Sequence, residues 1–269
     1  MRRKRVGSAL FLAVMLVMLY LPVAVVVLYS FNANTSRFTF AFTGFSTQYY
    51  QGLLHDTKGL VSALMTSLEL AAYSCGLSLV IGTLGALGLA GAQMRGKGAV
   101  ETLSLLPVMI PEIILGFALM AVFTFAGVKN DMVKLVIAHV TFCVPYIYLV
   151  VKARLTGMDP SLNEAARDLG AGPVRAFFSV TLPLILPGVL SGTLLAFAMS
   201  LDDFVISYFV TGLDFITLPV EIYSYTKKPI QPKIYAMFTL LFLLIFVLMV
   251  ISNVIQLVSD RKRVAERGK

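Results

Sequence analysis

Six apolar segments, each long enough to cross a bilayer, constrain this chain more than any other feature. They run approximately Ala9–Phe31, Leu60–Ala92, Leu103–Phe125, Val133–Val151, Leu184–Phe209 and Ile234–Val258. A helix needs about 20 apolar residues to span the hydrocarbon. Inside lipid every backbone N–H and C=O must find its partner within the protein, so such segments are helical. The second segment is longer than a straight crossing needs, which predicts tilt or an end outside the hydrocarbon. Composition agrees: of 269 residues, 58% are hydrophobic and 13% charged. An ordinary soluble domain has about 45–50% and about 25%. That balance argues against a soluble globular domain and, more firmly, against a disordered chain. The expected fold class is all-α, a polytopic membrane protein with six transmembrane helices and a single transmembrane domain over residues 1–269.

Arg2, Arg3, Lys4 and Arg5 would suit the basic start of a signal peptide. The apolar stretch behind them exceeds about 15 residues, however, and no small-x-small cleavage site follows it. An uncleaved first span is expected. With the N-terminus placed in the cytoplasm, fifteen of the 22 lysines and arginines fall on inside segments. These are the four at the start, Arg95, Lys97, Lys152, Arg154, Arg167, Arg175, Arg261, Lys262, Arg263, Arg267 and Lys269. Arg37, Lys58, Lys129, Lys134, Lys227, Lys228 and Lys233 fall outside. The bias predicts both termini inside, and it accounts for the net charge of +8 without nucleic acid as a partner. Cys75 and Cys143 lie in apolar runs and suggest neither a disulfide framework nor a zinc site.

The inside loop between spans four and five, about 152–183, is more polar than its flanks and reads as helical. Ser161 with Glu164 three residues on fits a capping box. The helix would run through Ala165, Ala166, Arg167, Asp168 and Leu169, and Gly170 suits the left-handed position beyond its end. Pro173 suits the first turn of a second short helix, up to Val180, before Thr181, Leu182 and Pro183 re-enter the membrane. The residues alone leave two readings open: a rigid protruding elbow, or an amphipathic linker on the lipid surface.

Glu164-Ala165-Ala166, three residues, Gly170, nine residues, Val180, one residue, Leu182-Pro183 resembles the EAA signature of permease subunits of ABC-type importers. Every specified position matches except the isoleucine, where Val180 stands. The resemblance implies an importer-type permease fold whose loop docks on a cytoplasmic ATPase, with Glu164, Ala165, Ala166, Gly170, Val180, Leu182 and Pro183 as the docking residues. The chain contains no Gly-x4-Gly-Lys-Ser/Thr phosphate loop, so the ATPase is expected to be a separate chain that binds ATP and magnesium. No cofactor is expected here, and the chain itself is not expected to be an enzyme. Residues 138–145, 200–207, 209–212 and 218–224 extend the resemblance to the spermidine/putrescine importers, as the second of their two permeases. It implies a second permease, two ATPase copies and an extracytoplasmic polyamine-binding protein as partners, in the cytoplasmic membrane of a prokaryote. One departure lies at residues 231–236, where Lys233 stands at an acidic position.

Four carboxylates fall within the spans: Glu69, Glu112, Asp202 and Asp203. An ionisable group at that depth usually faces a cavity or a partner. At about 1.5 Å per residue, Glu69 and the Asp202–Asp203 pair lie roughly 10–14 Å inside the outer ends of their spans, and Glu112 lies near the middle of the third. No Lys or Arg reaches comparable depth. A permeating polyamine would supply the missing cations. Neighbouring aspartates diverge by about 100° on a helix, so one of the pair is expected to cap or bond backbone. Pro107 and Pro111 remove helical hydrogen bonds beside Glu112, which would free carbonyls for amines. Tyr146, after Pro145, offers a hydroxyl, while His139 reads as a buried, satisfied histidine. Gly88 and Gly91, three apart, are a weak form of the four-residue packing motif.

An intramembrane enzyme is the competing class. Catalytic carboxylates converge from separate places, whereas Asp202 and Asp203 are adjacent. A permease for ferric iron is a further alternative, and sulfate or organic anions are disfavoured because buried carboxylates repel them.

Overall fold

The computed structural model describes residues 2–36, 41–56, 59–159, 161–211, 215–226 and 233–267. Of the residues used above, Arg37, Lys58, Pro160, Gly212, Lys227, Lys228, Gln231, Pro232 and Lys269 lie outside that set. The described chain is helical throughout: α1 Arg2–Ser30, α2 Gln48–Leu54, α3 Leu60–Gly91, α4 Lys97–Met109, α5 Glu112–Phe125, α6 Asp131–Thr156, α7 Ser161–Asp168 and α8 Pro173–Ala176. A π-helical turn over Phe177–Thr181 follows, then α9 Leu182–Asp202, α10 Val205–Val210, α11 Leu218–Thr226 and α12 Lys233–Arg267. Among the described residues the sole β pairing is an isolated antiparallel bridge between Asn32 and Phe45.

Five stretches are long and apolar enough to cross a membrane: Leu10–Ser30, α3, α6, Pro173–Asp202 and Lys233–Ile251. The pair α4 and α5, bent by 105°, makes a sixth when the two are counted as one span. The continuous third span expected from the sequence is therefore broken. Ile110 precedes Pro111, and the proline ring disfavours helical geometry in the residue before it. Ile110 is extended at φ −80°, ψ 132°, which ends α4. Pro111 then starts α5 with Glu112 in the first turn, where the helix dipole favours negative charge. The fifth span is displaced from its expected bounds, running Pro173–Asp202. It stops at Asp202, Asp203 is extended at ψ 117°, and α10 restarts at Val205. At 32 residues, α3 is about 48 Å long, beyond the roughly 30 Å of hydrocarbon.

By internal contacts the chain divides into Met1–Ala63 with Glu221–Phe246, and Leu64–Val220 with Val247–Lys269. In the first unit, buried Asn32 organises the segment after α1. Its Oδ1 accepts from the N–H groups of Asn34 and Thr43, and its amide donates to the Ala41 carbonyl. Ser30 and Tyr50 share a hydroxyl bond of 2.6 Å, and Lys233 pairs with Asp56 at 3.4 Å.

In the second unit α6 and α9 pack antiparallel along a stripe of small residues. Gly188, Gly192, Ala196 and Ser200 recur every four positions on α9, and His139, Cys143, Ile147 and Val151 do so on α6, all fully buried. The Cys143 thiol donates to the Ala196 carbonyl at 3.6 Å. A Cβ at Gly192 would lie 3.2 Å from Ile147 Cα, and one at Gly82 of α3 would lie 3.0 Å from Ile147 Cβ. Ile147 is thus held between two glycines on two helices. Lipid offers no hydrophobic drive for helix pairing, so this close van der Waals approach is what joins them.

Candidate functional site

The two broken spans meet at a cavity of about 280 Å³. Pro107, Ile110 and Glu112 come from the α4–α5 bend, Phe142 and Tyr146 from α6, and Met199, Asp202, Asp203 and Phe204 from the end of α9 and the break beyond it. Glu112, Tyr146, Asp202 and Asp203 are therefore brought together, and none of the lining residues is Lys or Arg. Glu69 is exposed on α3 and is not part of this lining. Glu112 sits at the first turn of α5, not within a continuous span. Two breaks in helices, each beside a carboxylate, place irregular backbone where it lines a cavity, the one setting in which membrane proteins tolerate it.

The two aspartates have different surroundings. Asp202 is exposed. Asp203 is 9% exposed, and its carboxylate is spent on the start of α10. Oδ1 accepts from Ile206 N–H at 3.1 Å, and Oδ2 accepts from Ser207 N–H at 2.8 Å and Ser207 Oγ at 2.7 Å. That is an N-terminal cap, which satisfies backbone donors that a helix end leaves unpaired. His139 is fully buried with both ring nitrogens within hydrogen-bond distance of serine hydroxyls. A hydrolytic reading of these Ser, His and Asp residues fails on geometry. Asp203 holds backbone rather than orienting an imidazole toward a free hydroxyl, and Ser207 itself donates to Asp203. Asp202 and Asp203 both line the cavity, but the oxygens of Asp203 are taken by donors of α10, so the two do not share a proton as a catalytic pair would.

The signature loop forms a second feature. Ala171 N–H reaches the Ala166 carbonyl at 3.0 Å and Gly170 N–H the Arg167 carbonyl at 2.9 Å. Gly170 has φ +81°. These are the paired bonds of a Schellman end. The Ser161 capping box is not formed as expected: Ser161 is already helical, and Asp159 Oδ1 accepts its N–H at 3.0 Å. The carboxylate two residues earlier takes the donor that Glu164 was expected to bond. Pro173 opens α8. The expected second short helix ending near Val180 is instead one turn that runs through the π-turn into α9 without a stop. Thr181 Oγ1 donates to Asn163 Oδ1 at 3.2 Å, tying the π-turn to α7. Glu164 and Ala165 are exposed, Ala166, Val180 and Leu182 half-buried, and Pro183 exposed. Leu169, Val174 and Phe178 are 89%, 70% and 61% exposed beside them, an apolar patch on an otherwise polar loop. The sequence pointed to one capping aspartate but not to Ile206 and Ser207 as its donors, nor to that patch or the Gly188-x3-Gly192 seam, whose four-residue spacing was visible.

Broken helices around a small acid-lined cavity, with a structured loop at the far end of the Pro173–Asp202 path, fit a membrane transport component. Residues 78–264 match the family of binding-protein-dependent transport system inner membrane components, and the chain belongs to that family. It is 37% identical over 245 residues to the spermidine/putrescine transport system permease protein PotC of Haemophilus influenzae, covering 91% of this chain and 94% of that one. It is 36% identical to the Escherichia coli protein of the same name, covering 88% and 89%. It is 37% identical to the E. coli putrescine transport system permease protein PotI, covering 83% and 81%. A solved bacterial ABC transporter involved in import of the acidic polysaccharide alginate has the same fold, with a TM-score of 0.68 at 15% identity over 95% of this chain and 96% of that one. An amino acid ABC transporter superposes with a TM-score of 0.58 at 18% identity, over 77% and 96%. The chain is accordingly a multi-pass inner-membrane permease of the ABC importer class, and it is not itself a catalyst.

Proposed function

We propose that this chain is one of two permease subunits of an ATP-driven importer of polyamines of the spermidine and putrescine class. One observation carries the reading. A cavity lined by Glu112, Asp202 and Tyr146, with no lysine or arginine in its wall, occurs in a chain whose relatives at 36–37% identity are polyamine permeases. An arriving ammonium would pair with these carboxylates and offset their charge. Phe142, Met199 and Phe204 suit the methylene segments between amines, and aromatic faces attract cations.

Residues 1–269 act as one transmembrane domain with both termini in the cytoplasm. The loop from Ser161 to Pro183 docks on a separate ATPase through Glu164, Ala165, Ala166 and Gly170, with Leu169, Val174 and Phe178 supplying apolar contact. Two ATPase copies bind ATP and magnesium, so this chain needs no cofactor of its own. A second permease closes the open side of the pathway, and an extracytoplasmic binding protein delivers the cargo. Binding in the cavity must be weak enough for release, so the binding protein holds the polyamine far more tightly.

The test is uptake of radiolabelled spermidine, putrescine, ferric iron and sulfate by the whole complex. Saturable polyamine uptake is expected. Iron or sulfate uptake without polyamine uptake overturns the cargo and leaves the family unaffected.

A further inference from the structure

His139 of α6 reaches both sides of the break in the fifth span. Its Nδ1 lies 2.8 Å from Ser200 Oγ on α9. Its Nε2 lies 3.2 Å from Ser207 Oγ on α10 and 3.5 Å from Asp203 Oδ2 between them. The hydroxyl hydrogen of Ser207 goes to Asp203 Oδ2 at 2.7 Å, so its oxygen accepts from imidazole Nε2–H, and Nδ1 accepts from the Ser200 hydroxyl. One direction of donation then satisfies every group, from Ser200 through His139 and Ser207 to Asp203. That chain places a hydrogen on Nε2. Each member is buried: His139 0%, Ser207 1%, Ser200 3% and Asp203 9% exposed.

The cluster has a mechanical consequence. Between Asp202 and Val205 the backbone has left one helix and not yet entered the next, and the carboxylate of Asp203 inside the break bonds only the α10 side of it. Asp203 holds the start of α10 through two backbone N–H groups. His139 holds the end of α9 through Ser200 and the start of α10 through Ser207, from a third helix packed against both. Asp202, next to this pinned point, takes its direction from it.

We propose that His139 is a positioning residue for the acid site: it struts the break and thereby aims Asp202 into the cavity, while Asp203 serves as the cap of α10 and not as a cation ligand. The transport part of the test rests on the polyamine reading; the labelling part does not.

The experiment uses the whole reconstituted complex. Asp202→Cys is introduced with His139 intact and together with His139→Gln, whose single amide cannot span both serines. A positively charged thiol reagent reads the accessibility of the new cysteine, with the parent chain as control for Cys75 and Cys143. The labelling rate should change about fivefold in the His139→Gln background, within the range that loss of a buried hydrogen bond gives. An unchanged rate overturns the strut. In uptake assays normalised to assembled complex, Asp202→Asn and His139→Gln should each raise the spermidine KM roughly two- to tenfold. The double variant should be no worse than the worse single one, because both act on one group. Multiplying effects, or a fall in complex yield with KM unmoved, also overturn it. If Asp202→Asn leaves KM unmoved while labelling still responds to His139→Gln, the polyamine reading fails and the strut stands. Should His139→Gln not assemble, Ser207→Ala breaks the same chain by one hydroxyl and carries the same measurements.

Discussion

Gly170 shows how one residue can set a loop. Its φ of +81° lies where a side chain with Cβ is strained, and no heavy atom within 4 Å would obstruct a substituent there. The cost of replacing it is therefore conformational rather than steric. Valine at this position carries a strain of about 1–3 kcal/mol, enough to loosen the end of α7. Asparagine tolerates the left-handed region several-fold better than branched residues do. Gly170→Val is expected to lose polyamine uptake and transport-stimulated ATPase activity with membrane insertion intact, and Gly170→Asn to retain most of both. Equal uptake by Gly170→Val and the parent would remove the coupling role of this turn. The turn was legible because glycine after a helical run and proline three residues later both act locally. The difference between Asp202 and Asp203 was legible only as a divergence of about 100°. Which of them caps depended on Ile206 and Ser207, which the apolar run gave no reason to single out.

At the scale of elements, length and hydropathy marked the spans, though the fifth begins at Pro173, 11 residues before the expected Leu184. They did not mark where spans break. Pro107 and Pro111 announced a fault in the third span, but the 105° bend depends on how α5 seats against α10. There Gly116 would put a Cβ 3.3 Å from Ile206 Cα. The fifth span breaks at Asp202 and Asp203, two acids that mark a polar point in the run but not a bend, and the π-turn carries no sequence sign at all. The α6–α9 seam was legible in principle. Gly188 and Gly192 stand four apart, yet the glycines of the second segment drew the eye first. The seam gives a prediction. A Cβ on Gly192 would lie 3.2 Å from backbone at Ile147 Cα, and one on Gly188 would lie 2.4 Å from Arg154 Cγ and 3.3 Å from its Cβ. Gly192→Leu and Gly188→Ala should therefore each lower the thermal midpoint of the purified complex, in line with an overpacking cost of about 1–3 kcal/mol. An unchanged midpoint in Gly192→Leu would mean that the seam is not the tight contact it is described to be.

At the scale of the whole molecule, the apolar window of α1 buries none of its residues against the rest of the chain, while those of α6 and Pro173–Asp202 each bury 44%. Helices of the first kind need lipid or another subunit to cover them. Purification in mild detergent from the native membrane is expected to bring an ATPase and a second permease with this chain, and recovery of the chain alone would count against that assembly. The same scale gives the π-turn a meaning. From Pro173 to Asp202 the helical path is unbroken for 30 residues, about 45 Å. The signature loop lies at one end of that path and the acid site at the other. A π-turn holds one residue more than an α-helix allots to the same advance. Deleting Ser179 should relax it to ordinary turns and leave the faces of α8 and α9 in phase, with uptake largely kept. Deleting Leu195, where no extra residue exists, should rotate Asp202 by about 100° relative to the loop and abolish uptake. The shaft joining the two ends thus carries one spare tooth where it enters the bundle. Whether it meshes depends on how many residues lie along it.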